Sequence, residues 1–200
     1  HREWLYRQAY EVGRHVIGYE LQKIFSAIDW LESSNKISGK AVQIGVAGHG
    51  EGGLLALYAA ALDTRIQATL VSGYFDQREK LWQEPIYRNV FGLLNHFGDA
   101  EIAVMAWPRK LIIEYAKGPE LTGPPKPTEN RSGAAPGILT TPVYENAAAE
   151  FERAKSMVNG TNHLQWVTAN TKLPAGSPFS TPALKDFMVA LHVAYSTAVP

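Results

Sequence analysis

One stretch, "QIGVAGHGEGGLLALYAAALD" (residues 43–63), constrains the fold more than any other. It opens as an apolar, β-branched run without alternation, the pattern of a strand buried on both faces. It closes as an apolar helix, and "GHGEGG" is the turn between them. Such a unit belongs to a parallel α/β sheet. Two functional templates share the turn. Gly48, Gly50 and Gly53 satisfy G-x-G-x-x-G, the loop that cradles a dinucleotide pyrophosphate. Gly48 and Gly52 also supply the small residues two before and two after the nucleophile of a strand-to-helix elbow. Gly50 then stands where a serine would be, in a strained backbone position that glycine tolerates best.

Three features weigh against the dinucleotide template and leave it a minor alternative. Val71-Ser72-Gly73 ends the next strand without a ribose-binding carboxylate. Glu51 puts a negative charge at the helix N-terminus, where a pyrophosphate would sit. A long helical segment also precedes a fingerprint that usually opens its domain.

The rest of the chain repeats the strand–helix alternation. Apolar residues at helical spacing run from Trp4 to Leu31, with Gly13 and Gly18 as candidate breaks between two helices. "SSNKISGK" reads as a loop. Strands are expected at 41–48, 66–73, 109–116 and 164–170. Helices are expected at 51–62, around 86–96 and 99–106, from Thr141-Pro142 through Val158, and over "TPALKDFMVALHVAY". The density of proline and glycine in "KGPELTGPPKPTENRSGAAPG" predicts a long irregular loop. Four alternations define a parallel sheet with helices on both faces. Ligands of such sheets bind beyond the C-terminal strand ends, here the loops at 48–52, 73–79, 116–137 and 170–180.

Composition excludes more than it proposes. Nineteen basic and nineteen acidic residues cancel, so nothing favours a nucleic-acid partner. No apolar run reaches the length of a membrane span. With no cysteine, disulfides, thiolate metal sites and a cysteine nucleophile are all absent. No two histidines stand at metal-ligand spacing, so neither a metal nor another cofactor is expected. The opening "HREWLYRQAYEVGRHV" enters helical periodicity at once and predicts a processed chain or a fragment.

Here the chain resembles the α/β-hydrolase fold, in particular the dienelactone-hydrolase and acetylxylan-esterase-like branch. The carriers are "IGVAGHGEGGLLALYAAALDTRI", "IQATLVSGYF", "WPRKLIIEYAKGPE" and the terminal "AGSPFSTPALKDFMVAL". The resemblance implies a three-layer α/β/α sandwich with a mostly parallel sheet. Residues 1–200 would form a single domain, the C-terminal half of that fold, incomplete on its N-terminal side. It also implies further strands before the elbow strand. Without them, strand 42–48 would be an apolar edge. The expected partner is therefore the missing N-terminal half, or a separate chain, covering that edge.

Position by position, the resemblance puts the nucleophile at Gly50 and the catalytic histidine at Ser177, in "GSPF". The acid falls on Glu120, with Glu114, inside a strand, the poorer match. Glycine has no nucleophile, and a serine is no base near neutral pH. Two functions follow. One is a hydrolase homologue without Ser-His-acid catalysis, used for binding or assembly. The other is an active ester or acyl hydrolase with non-standard groups such as His49 and Glu51. Tyr74, Phe75 and Trp82, with Arg78 as an anion ligand and Arg131 as a clamp, are candidates to line a cleft for a small ester or carbohydrate. His96, His163, Trp107 and Trp166 read as structural. His15 reads as a partner of Glu11, and Asn159-Gly160-Thr161 matches the glycosylation pattern.

Overall fold

A computed structural model describes residues 2–39, 43–124, 126–130, 132, 133, 135, 137–160, 162–168 and 175–193. Four strands form one parallel sheet in the order β1-β2-β3-β6: β1 Ile44–His49, β2 Ile66–Ser72, β3 Lys110–Tyr115 and β6 Leu164–Thr168. The helices are α1 Arg2–Glu11, α2 Val16–Ser38, α3 Glu51–Leu62, α4 Asp99–Met105, α5 Tyr144–Ser156 and α6 Thr181–Ala190. A second ladder pairs β4 Leu121–Thr122 with β5 Ile138–Leu139.

The strand order explains the layers. Each crossover steps one place in the same direction, so crossovers of one hand put their helices on one face. Leu57 of α3, Ala103 of α4 and Phe151 of α5 share one buried cluster with Ile66, Leu111 and Ile113 of the sheet and Ile17 and Ile28 of α2. The alternate residues Leu70, Ile112 and Val167 point the other way, where Ala183 and Phe187 of α6 cover them. β1 is an edge. Ile44 and Val46 pack into the larger cluster, Ala47 is exposed, and among the described residues only β2 pairs with it.

Several boundaries differ from the sequence expectations. "SSNKISGK" is not a loop: α2 continues to Ser38 and ends at Gly39, whose φ of 65° is the left-handed stop. The Glu32–Lys36 pair one turn apart and the Ser33 hydroxyl bonded to the Asp29 carbonyl carry the helix through this polar run. The break in the first helical segment falls at Gly13, and Gly18 lies inside α2. The expected helix at 86–96 is two short 3-10 turns, Ile86–Arg88 and Leu93–Asn95, because Gly92 at a positive φ interrupts it; a further 3-10 turn, Arg78–Gln83, precedes Pro85. Thr141-Pro142 lies outside α5, which starts after Val143. The strand ends at 169 and 170 fall outside the described residues, as do Thr161 and the stretch after Val193.

His15 takes its partners from Ile17 and Asn89 rather than Glu11. Its Nδ1 accepts from the Ile17 N–H at 3.1 Å, capping α2, and Nε2–H donates to the Asn89 carbonyl at 3.1 Å. The Nδ1 bond requires the neutral ring, whereas the Nε2–H bond to Asn89 survives protonation and opposes the fall in pKa. Burial holds its pKa below the usual imidazole value, with nearby Arg2 lowering it further. A lowered folded value means that this contribution is complete above about pH 6.5 and is lost as pH falls through the folded pKa. Amide protection factors in α1 and the first turn of α2, corrected for the slowing of intrinsic exchange, should therefore fall between pH 7 and pH 5. His15→Asn, which keeps a capping oxygen without titrating, should remove that pH dependence. The same fall in protection in both proteins would refute the assignment.

Candidate functional site

The turn between β1 and α3 has the geometry of an elbow. Gly50 sits at φ 54° and ψ −114°, a conformation side-chain-bearing residues rarely adopt. Its N–H donates to the Ser72 carbonyl at 2.9 Å, and its own carbonyl starts α3 by accepting from Leu54 at 3.1 Å. Strand and helix approach so closely that a Cβ on Gly48 would lie 1.9 Å from the Gly52 carbonyl oxygen. The second small position is shifted by one from the sequence expectation. Gly52 faces open space, whereas a Cβ on Gly53 would lie 3.0 Å from Tyr74 Cβ.

The space beyond Gly50 is filled. A Cβ there would lie 2.6 Å from Cδ and 2.7 Å from Cγ of Pro119. Pro119 belongs to the segment that leaves β3, and several bonds seat this segment over the elbow. His49 Nε2–H donates to the Lys117 carbonyl at 2.7 Å. The Lys117 N–H donates to the Gly176 carbonyl at 2.8 Å. The Gly118 N–H donates to Thr141 Oγ1 at 3.2 Å, and the Thr141 hydroxyl donates to Glu120 at 2.9 Å. Glu120 is exposed, and in this segment it serves as an acceptor for Thr141.

His49 and Glu51 flank Gly50 but have separate partners. Glu51 forms ion pairs with Arg2 at 2.9 Å and Arg88 at 3.2 Å. Burial raises its pKa in spite of those two cations. Ser177 is exposed and makes no side-chain hydrogen bond to a described residue. The buried acid of this region is Glu114. It accepts from the Ser72 hydroxyl at 2.6 Å and from the Phe179 and Ser180 N–H groups, both at 2.8 Å. Glu114 thereby holds the turn before α6, including Phe179 at a positive φ of 57°.

The ligand candidates separate. Tyr74 and Arg78 line a cavity of 240 Å³ beyond the end of β2, and Pro119 is part of the same wall. Arg78 is buried, with Nε bonded to Asp99 at 2.9 Å, one terminal nitrogen paired with Glu84 at 3.2 Å and the other bonded to the Tyr74 carbonyl. Its guanidinium lies 4.2 Å from the centre of the Tyr74 ring. Phe75 is buried in the core. Trp82, 69% exposed, belongs to a separate groove with Phe91 and Leu94. Arg131 lies outside the described residues. The sequence reading missed Asp76, which lines the cavity, and Asp99, which anchors Arg78. Burial raises the pKa of each to about 6. Position alone could have found Asp76, four residues past the end of β2, where ligand groups of parallel sheets collect. Nothing marks Asp99. Among the described residues no three His, Asp or Glu side chains are grouped to hold a metal ion, and no helix is long and apolar enough to cross a membrane.

The parallel sheet, the elbow and the helices on both faces define an α/β-hydrolase fold. No protein-family model and no curated protein sequence matches the chain. Solved structures do. A putative acetyl xylan esterase from Bacteroides fragilis NCTC 9343 superposes with a TM-score of 0.58 at 14% identity, over 97% of this chain and 48% of that one. A methylesterase superposes with a TM-score of 0.54 at 15% identity, over 87% and 35%. A glucuronoyl esterase from Solibacter usitatus gives 0.53 at 12% identity, over 90% and 48%. The chain thus spans less than half the length of the structures it matches.

Proposed function

We propose that this chain is part of an α/β-hydrolase homologue whose elbow no longer supports a serine nucleophile and whose cleft and edges serve binding or assembly. The observation that carries this reading is the Pro119 ring over Gly50, which fills the space a nucleophilic side chain would need. Ser177, exposed and no base at the position matched to the histidine, and the separate partners of His49 and Glu51 support it. They weigh equally against the alternative of an ester hydrolase working through His49 and Glu51. The test is hydrolysis of p-nitrophenyl acetate, with and without a fluorophosphonate serine reagent. No turnover above buffer and no labelling are expected. Turnover that the reagent abolishes would refute the reading.

The partner proposed for the free edge of β1 is further polypeptide, either an N-terminal part of the same protein or a separate chain. The edge position of an apolar strand supports this, as does the short span relative to the matched structures. Amides of β1 that face away from β2 should exchange rapidly in the 200-residue chain and be protected in the protein as the cell makes it. Equal exchange in both would count against a covering strand.

A further inference from the structure

The cavity beside the elbow has two kinds of wall. Pro119, Ile138 and Val143 form an apolar side, and Asp76, Gln77 and Asn146 a polar one. Arg78 and Arg88 also line it, but their guanidiniums are engaged with carboxylates. Arg78 pairs with Asp99 and Glu84, and Arg88 with Glu84 and Glu51. Arg2 ends the chain of pairs on Glu51 and Glu20. The three cations Arg2, Arg78 and Arg88 therefore face the four anions Glu20, Glu51, Glu84 and Asp99 before Asp76 is added. Asp76 Oδ1 accepts the Gln77 N–H at 2.8 Å, and Oδ2 accepts no hydrogen bond from a described residue. Exposed Glu79 and Lys80 at the rim carry opposite charges and offset each other.

The geometry points to a small organic cation as the occupant of this cavity: a primary ammonium or guanidinium on a short aliphatic stem, its head on Asp76 and its stem along Pro119, Ile138 and Val143. This rests on the reading of the cleft as a binding surface and gives that surface a ligand class. It also reverses the sequence expectation of an anion at Arg78, whose charge is paired with Asp99 and Glu84 and whose three nitrogens each donate within the fold, to Asp99, Glu84 and the Tyr74 carbonyl. A volume of 240 Å³ lies below the usual range for drug-sized ligands and suits a stem of a few carbons. A carboxylate accepting from a cation makes a stronger, shorter bond than a neutral pair. Burial raises the pKa of Asp76 to about 6, Asp99 and Glu84 adding to the rise and Arg78 opposing it, so the group is ionised at neutral pH and becomes neutral below it.

The test is an amide chemical-shift titration of the 200-residue chain at pH 7.5 with butylammonium, butylguanidinium and, as the matched anion, butyrate. Saturable shifts at Gly73, Gln77 and Gln83 are expected with the two cations and not with butyrate. Asp76→Asn, which keeps an acceptor for the Gln77 N–H, should weaken cation binding about tenfold or more. In the unmodified chain, affinity should fall about tenfold between pH 7.5 and pH 5, a readout that stands even if the variant misfolds. Butyrate binding as tightly as the cations would overturn the proposal. So would a folded Asp76→Asn protein with unchanged affinity, affinity independent of pH, or no saturable shift with any probe. Ester turnover is read separately: it would refute the non-catalytic reading and leave the cation result to decide the ligand class.

Discussion

Replacing Arg78 by methionine should destabilise the chain by about 3–5 kcal/mol, the range found when one partner of a buried ion pair is removed. The side chain of Arg78 is 8% exposed and that of Asp99 1%, so solvent screens neither. Arg78 also joins three otherwise separate pieces: Asp99 at the start of α4, Glu84 after the first 3-10 turn, and the Tyr74 carbonyl at the end of β2. Methionine restores volume without charge, which leaves Asp99 buried without its cation and Glu84 with Arg88 alone. Asp99 already titrates at about 6 with Arg78 beside it. Without that cation its folded pKa rises further above the unfolded value near 4. A raised carboxyl value makes the folded state gain stability as pH falls through it. The loss should therefore be larger at pH 8 than at pH 5, measured by urea unfolding at both. A change below about 1 kcal/mol at pH 8 would show that the pairs add little, as exposed pairs do.

Gly50→Ala is expected to cost about 2–6 kcal/mol. A side chain at φ 54° and ψ −114° carries about 1–3 kcal/mol of backbone strain. Displacing the Pro119 ring from a 2.6 Å approach adds about 1–3 kcal/mol of overpacking. The two parts separate in a double-mutant cycle. Pro119→Gly removes the ring, so Gly50→Ala should cost at least about 1 kcal/mol less in that background, leaving the backbone share. Additive effects would mean that the ring does not press on position 50. Gly50→Ser should be destabilised like the alanine variant and gain no ester turnover, because the hydroxyl would arrive without an imidazole base.

The readable parts of this chain were local. The strand in "QIGVAG" and the two after it are apolar runs of strand length bounded by turn residues. A buried parallel sheet requires that pattern, and β1, β2 and β3 fall within a residue or two of where the runs place them, apart from the first residues of the β1 run, which are not described. Gly48 and Gly50 were legible because backbone sterics at an elbow admit little else. Elements that depend on remote partners were less so. The segment 86–96 reads as a helix. Gly92 breaks it, and Arg88 fixes its first 3-10 turn through Glu84 and Glu51. The last turns of α2 looked like a loop because serine, asparagine and lysine favour loops on average, but their hydroxyls and charges found partners within the helix.

By itself the sequence determined the parallel α/β architecture and the glycine elbow between β1 and α3. These follow from residue type, period and spacing along the chain. Only the tertiary structure decided what surrounds the elbow. Pro119 reaches Gly50 from 69 positions away in the chain, Arg2 reaches Glu51 from 49, and Arg78 pairs with Asp99 and Glu84 instead of standing free for an anion. Contacts of that separation are set by how the crossovers fold back over one end of the sheet, and no local periodicity records them.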